Sequence, residues 1–160
     1  MEFLLETLES KNDLVLGSVF KCLIQFTNCA AFFDGSHSVY GVEPLISALS
    51  RAVKLQNPDV IKTGLLLMAE IFLKQPRTVP VFPNKGIFNG FTAILQDALN
   101  SMNYRILQQA VNTLDVMLLQ NQIPRNVTSE MIASLLGCII LQLKRYHKPI
   151  STFKNANLGL

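Results

Sequence analysis

The sequence has little charge for a soluble domain. Charged residues make up 16% of the 160 residues and hydrophobic residues 49%, whereas an average soluble domain has about 25% charged residues. A free-standing domain normally covers its surface with more charge, so the shortage predicts that some apolar surface meets another segment or another chain. The net charge of +3 is mild, and a dedicated nucleic-acid binder carries a strong basic stripe instead.

Cysteine is also scarce. The chain has only Cys22, Cys29 and Cys138, and an odd number without regular spacing does not build a disulfide framework. Cys22 and Cys29 would share one face of a helix among apolar residues. We predict that both are buried thiols rather than metal ligands, because free cysteine behaves as a small hydrophobe. The compartment is therefore expected to be reducing and the protein intracellular.

Motifs of catalysis and cofactor binding are missing from the sequence. It has no G-x-x-x-x-G-K-[ST] phosphate loop, no H-E-x-x-H zinc motif and no paired C-x-x-C. His37 and His147 lie far apart in the chain, so no Ser/His/Asp group is indicated. We expect no enzyme, no cofactor, no metal and no small-molecule substrate, since an enzyme fragment would need a cleft with converging titratable groups.

Long hydrophobic runs are absent too. The longest nearly uncharged runs, residues 64–73 and 131–143, are shorter than the about 20 residues that a membrane-spanning helix needs. Glu2, Glu6 and Glu9 stand where a secretory signal peptide carries positive charge. We therefore expect neither a secretory signal nor contact with a membrane.

What the sequence does contain is helical periodicity. Apolar residues recur at helical spacing and no segment alternates as a strand does, which predicts an all-α fold of about seven helices. The predicted helices are residues 3–8, 14–33, 42–55, 58–75, 87–100, 104–120 and 129–147.

The breaks between these helices follow from turn chemistry. Residues 34–38 have the composition of a loop, and the prolines within 76–86 predict an extended connection. Pro44 fits the first turn of its helix, where the missing amide proton has no partner in any case. Pro149 is expected to end the last helix, and residues 149–160, which lack periodicity, are predicted to form a loosely ordered tail.

The central helix of the chain, residues 58–75, opens with a start signal. Asn57 and Pro58 form this signal, because proline suits the first helical position. Glu70 is the one charge in an otherwise apolar run, and a buried carboxylate would need a partner. Lys74, one turn further on, can supply it at the favourable spacing. Earlier in the chain, Asn12 or Asp13 can cap the helix that follows.

The helices fall into three pairs: 3–8 with 14–33, 42–55 with 58–75, and 87–100 with 104–120. Ile61 and Ile106 are 45 residues apart, as are Gln75 and Gln120, and helix pairs with a period of about 40–47 residues are typical of armadillo and HEAT arrays. Over residues 1–148 the chain resembles the armadillo/HEAT superfamily, which implies a short α-solenoid. An irregular helical bundle is the alternative.

A row of polar residues is a candidate binding site. Gln25, Glu70 and Asp115 are spaced by 45 residues on the second helix of each pair, and Gln108 and Asn112 extend the row. In armadillo-like arrays this helix lines the concave surface, where polar residues hold extended peptides, so the resemblance implies partner binding here. The alternative is an ordinary solvated face.

A basic cluster follows near the end of the chain. It consists of Lys144, Arg145, His147 and Lys148, with Lys154 beyond. The cluster is a candidate contact for an acidic partner or a phosphate backbone. The alternative is that it only complements the helix dipole at the C-terminal end of the last helix.

Two stretches carry a second resemblance. Residues 41–60, GVEPLISALSRAVKLQNPDV, and 105–127, RILQQAVNTLDVMLLQNQIPRNV, resemble the meiosis inhibitor protein 1 family of large vertebrate helical-repeat proteins. This resemblance implies that the chain is a segment or short isoform of such a protein. It also implies a nuclear role in forming programmed meiotic DNA breaks within a protein assembly.

These observations predict a protein-interaction scaffold built from helical repeats, with other proteins of a larger assembly as partners. A nucleic-acid-binding helical-repeat module is the alternative from another class. Direct contact with nucleic acid is not expected, because the lysines and arginines are scattered along the chain rather than gathered on one helix face.

Overall fold

The structure, a computed structural model, describes residues 6–125, 127 and 129–158, and within 35–41 and 147–158 it describes the backbone alone. These residues form six α-helices and one 3₁₀ helix, and no strand occurs among them. The all-α fold is thereby confirmed, while residues 3–5 of the predicted helix 3–8 lie outside the described residues. The elements are α1 (Asp13–Phe26), the 3₁₀ helix (Ala30–Phe33), α2 (Gly35–Leu55), α3 (Pro58–Lys74), α4 (Lys85–Leu99), α5 (Tyr104–Leu119) and α6 (Ser129–Leu158).

The helices pack in two layers. The odd layer holds α1, α3 and α5 side by side, and the even layer holds α2, α4 and α6. Between the layers α2 packs on α3 and α4 packs on α5, while the α3–α5 contact is the most extensive in the molecule. Stacked helix pairs that cover one another's apolar faces produce this order. The assignment to the armadillo/HEAT type stays a prediction.

Asparagine starts every helix of the odd layer. The side-chain oxygens of Asn12, Asn57 and Asn103 accept hydrogen bonds from backbone amides in the first turns of α1, α3 and α5. These bonds satisfy amides that have no partner within the helix. The predicted start signal at Asn57–Pro58 is confirmed, and of the two candidate caps for α1, Asn12 and Asp13, the structure has Asn12 as the cap. Asparagine also caps α4 in the even layer, where Asn84 accepts from the Ile87 amide, so these caps mark helix starts rather than one position of the repeat.

The centre of the core lies around α3. Nine of its residues are buried, and Gly64 allows its closest approach to the neighbouring helices. A Cβ atom at Gly64 would lie 2.6 Å from Leu49 Cδ1 and 2.9 Å from Phe20 Cε2, distances at which real carbon atoms overlap. Glycine therefore lets α3 sit against both α1 and α2.

The connection between α3 and α4 is irregular, as its prolines predicted, but it is anchored in the core. The Phe82 ring packs against Phe72, Phe88 and Phe91 at centroid distances of 5.8, 5.0 and 5.7 Å. Gln75, which is buried, donates from Nε2 to the carbonyl of Val79 at 3.0 Å. The connection thus has a fixed path across the ends of the helices.

The predicted helix 14–33 is wrong beyond Phe26. α1 ends at Phe26, and the Thr27 hydroxyl donates to the Ile24 carbonyl at 2.7 Å. A threonine hydroxyl that bonds the preceding turn competes with helix continuation. The prediction of buried thiols is also wrong, because Cys22 and Cys29 are both exposed.

Two predicted helix boundaries are wrong as well. The segment 34–38 is not a loop, since α2 begins at Gly35 and contains Pro44 in its interior, and α6 passes through Pro149 to Leu158 instead of ending near residue 147. Proline removes one helical hydrogen bond, but its φ of about −65° is itself helical. One proline can therefore lie within a long helix. The separation of residues 149–160 as a loosely ordered tail stays a prediction.

Within the described part of the chain, none of the helices combines the length and apolarity that crossing a bilayer requires.

Candidate protein-binding surface

The candidate site residues all lie on helices of the odd layer, which are neighbours in space. Gln25 on α1 and Asp115 on α5 are exposed, and Glu70 on α3 is half-buried between them in the layer order. Gln108 and Asn112 are exposed on α5, two turns and one turn before Asp115 respectively. The structure therefore brings the five residues to the solvent-accessible part of one layer. Their part in binding stays a prediction.

Glu70 differs from the other four candidate residues because it already has an ion-pair partner. Its Oε2 lies 2.6 Å from Lys74 Nζ, and the two side chains keep 26% and 28% of their accessible surface. The same Lys74 ammonium donates to Thr27 Oγ1 at 3.1 Å and to Asn28 Oδ1 at 2.8 Å. The predicted Glu70–Lys74 pair is confirmed. It belongs to a network that joins the end of α1 to α3, so Glu70 positions Lys74 rather than standing free.

Apolar side chains interrupt the polar row, and sequence reasoning missed them. Val111 is 37% exposed and lies between Gln108 and Asp115 on α5, and Leu73 of α3 is 53% exposed. Helical periodicity assigned residues of this kind to the core, because the pattern records which side chains are apolar and not which faces are covered. The surface is therefore mixed, with amides and a carboxylate beside exposed aliphatic groups.

Such a mixture suits the binding of a polypeptide. Amide and carboxylate side chains pair with backbone groups, and aliphatic side chains contact apolar residues of the partner. Interface cores in proteins are typically depleted of charge, and of the five predicted residues only Asp115 is a free, exposed carboxylate, since Glu70 is bonded to Lys74.

The N-terminal ends of the odd-layer helices are tied together by polar side chains. Asn57 Nδ2 donates to Asp13 Oδ2 at 2.6 Å, which links α3 to α1. Arg105 NH1 lies 3.7 Å from Asp59 Oδ1, which links α5 to α3. Both members of the second pair are largely exposed, so it contributes little stability. Asp13 and Asp59, which lie in the first turns of α1 and α3, thus each contact the next helix of the layer.

A buried hydroxyl fixes α5 against α3. Thr113 is fully buried, and its Oγ1 lies 3.0 Å from the Leu65 carbonyl of α3 and 2.8 Å from the Gln109 carbonyl of α5. The single hydroxyl proton is shared between these two acceptors. Gln109 Nε2 donates to the same oxygen at 3.4 Å. The group sets the register of the two helices and is closed to a ligand.

The basic cluster lies within a helix rather than at its end. Lys144 and Arg145 are exposed on α6, and Arg145 NH1 donates to Gln142 Oε1 at 3.3 Å. The side chains of His147, Lys148 and Lys154 fall outside the described residues. Because α6 continues to Leu158, the interpretation of these residues as a helix-end cap is wrong.

Fold and surface together define a class: an all-helical domain of stacked helix pairs with a mixed polar and apolar face on one layer. The family model for the Meiosis inhibitor protein 1 N-terminal domain matches residues 1–158. The chain belongs to this family.

Two relatives share the family name. The chain is 34% identical over 100 residues to Meiosis inhibitor protein 1 of Homo sapiens and 32% identical over 100 residues to that of Mus musculus. Each match covers 62% of this chain and 8% of the relative, so the chain spans a small part of the length of these proteins. No solved structure matches the chain.

Proposed function

We propose that this chain is a protein-interaction domain that acts in meiosis as part of a larger assembly. Membership of the Meiosis inhibitor protein 1 N-terminal domain family supports the meiotic role. The stacked helix pairs support the role in binding, because such stacks offer extended surfaces made of many exposed side chains.

The observation that carries the proposal is the solvent-accessible side of the odd layer. Gln108, Asn112 and Asp115 are exposed there beside Val111, on a helix whose opposite side is locked to α3 by Thr113. A rigid helix that presents amides, a carboxylate and an aliphatic group can bind a partner without a large loss of conformational entropy.

The proposal also covers the cellular location of the domain and the meiotic event in which it acts. The resemblance noted from the sequence implies a nuclear assembly that forms programmed meiotic DNA double-strand breaks, and we propose that this domain acts there as a scaffold. In this proposal the domain is not an enzyme and has no cofactor, and it contacts proteins rather than nucleic acid or membrane.

The experiment is affinity capture from meiotic cell extract with quantitative mass spectrometry. The bait is wild type beside a triple variant, Gln108→Ala, Asn112→Ala and Asp115→Ala, that changes only exposed side chains of α5. The matched control changes exposed polar residues of α4, Asn89→Ala and Asp97→Ala. We expect the triple variant to lose specific partners that the control keeps, because the odd layer makes the contact.

If all three baits captured the same partners equally well, the assignment of binding to the odd layer would be wrong. The alternative function, nucleic-acid binding, is tested with the same proteins in an electrophoretic mobility assay. Binding to DNA that is strong at low salt and falls steeply as salt rises would favour that alternative, since phosphate contacts release counterions.

A further inference from the structure

Two connections that are distant in sequence meet at one cleft. Residues 77 and 80–82, from the α3–α4 connection, line one side of it, and residues 121–125, from the α5–α6 connection, line the other. The cleft has a volume of about 450 Å³. We refer to it as the arginine cleft, because Arg77 and Arg125 are its charged residues.

Both sides of the arginine cleft are built on fixed backbone. On one side Phe82 is buried in the aromatic cluster, and Gln75 holds the start of the connection. On the other side α5 ends in a turn that places Asn121 at φ 53°, with the Gln122 amide donating to the Met117 carbonyl at 3.0 Å. This is the bonding of a Schellman motif. The cleft therefore exists before any ligand arrives.

The chemistry of the lining selects for negative charge. Arg77 and Arg125 are exposed, and no carboxylate is among the residues that line the cleft. Within the described residues neither guanidinium has an ion-pair partner. A guanidinium presents a fork of donors that matches a carboxylate, so both arginines are ready to bind an acidic group.

The remaining lining indicates a polypeptide. Val81 and Phe82 are buried at the base, Ile123 and Pro124 are half-buried opposite, and Gln122 adds an amide that can bond a peptide backbone. Nucleic-acid binding needs a continuous basic stripe, whereas this cleft has two cations set in apolar walls.

We propose that the arginine cleft binds an acidic segment of a partner protein, with aspartate or glutamate side chains paired to Arg77 and Arg125 and apolar side chains against the cleft walls. The inference rests on the proposed function as a protein-binding domain, and it adds a second surface with a stated chemistry. It is distinct from the odd-layer face, so each surface can fail without the other.

The test is fluorescence anisotropy with the full chain and a labelled peptide in which glutamate alternates with valine. A second peptide replaces glutamate with glutamine. The cleft variant is Arg77→Gln with Arg125→Gln, and the charge-matched control is Lys54→Gln with Lys62→Gln, two exposed lysines outside the cleft.

We expect the glutamate peptide to bind the wild type and the control alike, and the cleft variant at least about tenfold more weakly, because charged hydrogen bonds are lost. The triple variant of α5 should bind this peptide as wild type does, which separates the cleft from the odd-layer face. Absence of binding, equal binding of the glutamine peptide or equal loss in the lysine control would each overturn the proposal.

Two further measurements keep the test decisive. Hydrogen exchange of the wild-type chain with the glutamate peptide should show protection within 76–82 and 121–125, and protection elsewhere would overturn the proposal even if a variant failed to fold. A single-stranded oligonucleotide that binds more tightly than the peptide, with the same dependence on Arg77 and Arg125, would assign the cleft to nucleic acid instead.

Discussion

α3 and α6 hold the two longest apolar runs of the sequence, yet the two helices differ in how much of their apolar surface is buried. α3 has helices on both sides within its layer and another across the layers, and nine of its residues are buried. α6 is the last helix of its layer. Among its described side chains only Leu135 and Gln142 are buried, and five large hydrophobic residues are exposed: Leu136, Ile140, Leu141, Leu143 and Tyr146.

The difference shows that burial in a stacked fold depends on position in the stack. An apolar helix has a covered face only where a neighbouring helix lies against it. The composition of α6 is therefore no guide to its contribution to stability, whereas that of α3 is.

The largest expected difference comes from one substitution made in both helices. Leu67→Ala in α3 removes a fully buried side chain, and we expect it to lower the free energy of unfolding by about 2–5 kcal/mol. Leu143→Ala in α6 removes a side chain that is 65% exposed, and we expect a change within about 0.5 kcal/mol. Urea denaturation followed by circular dichroism measures both. Similar losses would mean that α6 is packed in solution and that the contrast with α3 is false.

A smaller difference is expected from hydroxyl groups that bond between helices. Thr113→Val removes the buried hydroxyl that joins α5 to α3 and leaves Gln109 Nε2 without its acceptor. We expect a loss of about 1–3 kcal/mol, because a buried polar group then goes unpaired.

Its counterpart joins α4 to α6. Ser134→Ala removes an exposed oxygen that accepts from Gln96 Nε2 at 2.8 Å, and water replaces it, so a change within about 0.5 kcal/mol is expected. Chemical denaturation of both variants makes the comparison. A Thr113→Val protein as stable as wild type would show that the hydroxyl does not hold α5 on α3.

The smallest difference concerns lysines. Lys74→Met breaks the network of Glu70, Thr27 and Asn28, and we expect a loss of up to about 1 kcal/mol that shrinks in high salt. Lys144→Met in α6, where the lysine is exposed, should change stability by less than about 0.5 kcal/mol. Thermal unfolding at low and high salt distinguishes the two variants. A Lys74→Met protein as stable as wild type would show that the network does not stabilise the contact between α1 and α3.

Much of this protein could be predicted from local sequence. The all-α fold, the start of α3 at Asn57–Pro58 and the Glu70–Lys74 pair follow from periodicity, capping and spacing, because each depends on residues within a few turns of one another. The side chains proposed for binding were placed on the second helix of each pair by the same reasoning, and the structure puts them on one layer.

Other features depend on residues far apart in the chain, and only the tertiary structure decided them. α1 ends at Phe26, where Lys74 of α3 bonds Thr27 and Asn28. Cys22 is exposed because no helix of the described chain covers that face of α1. The arginine cleft exists because two connections, each unremarkable by itself, come together when α3 and α5 pack. Local sequence specifies helices and caps through short-range bonds, whereas the choice of covered and open faces depends on which helices become neighbours.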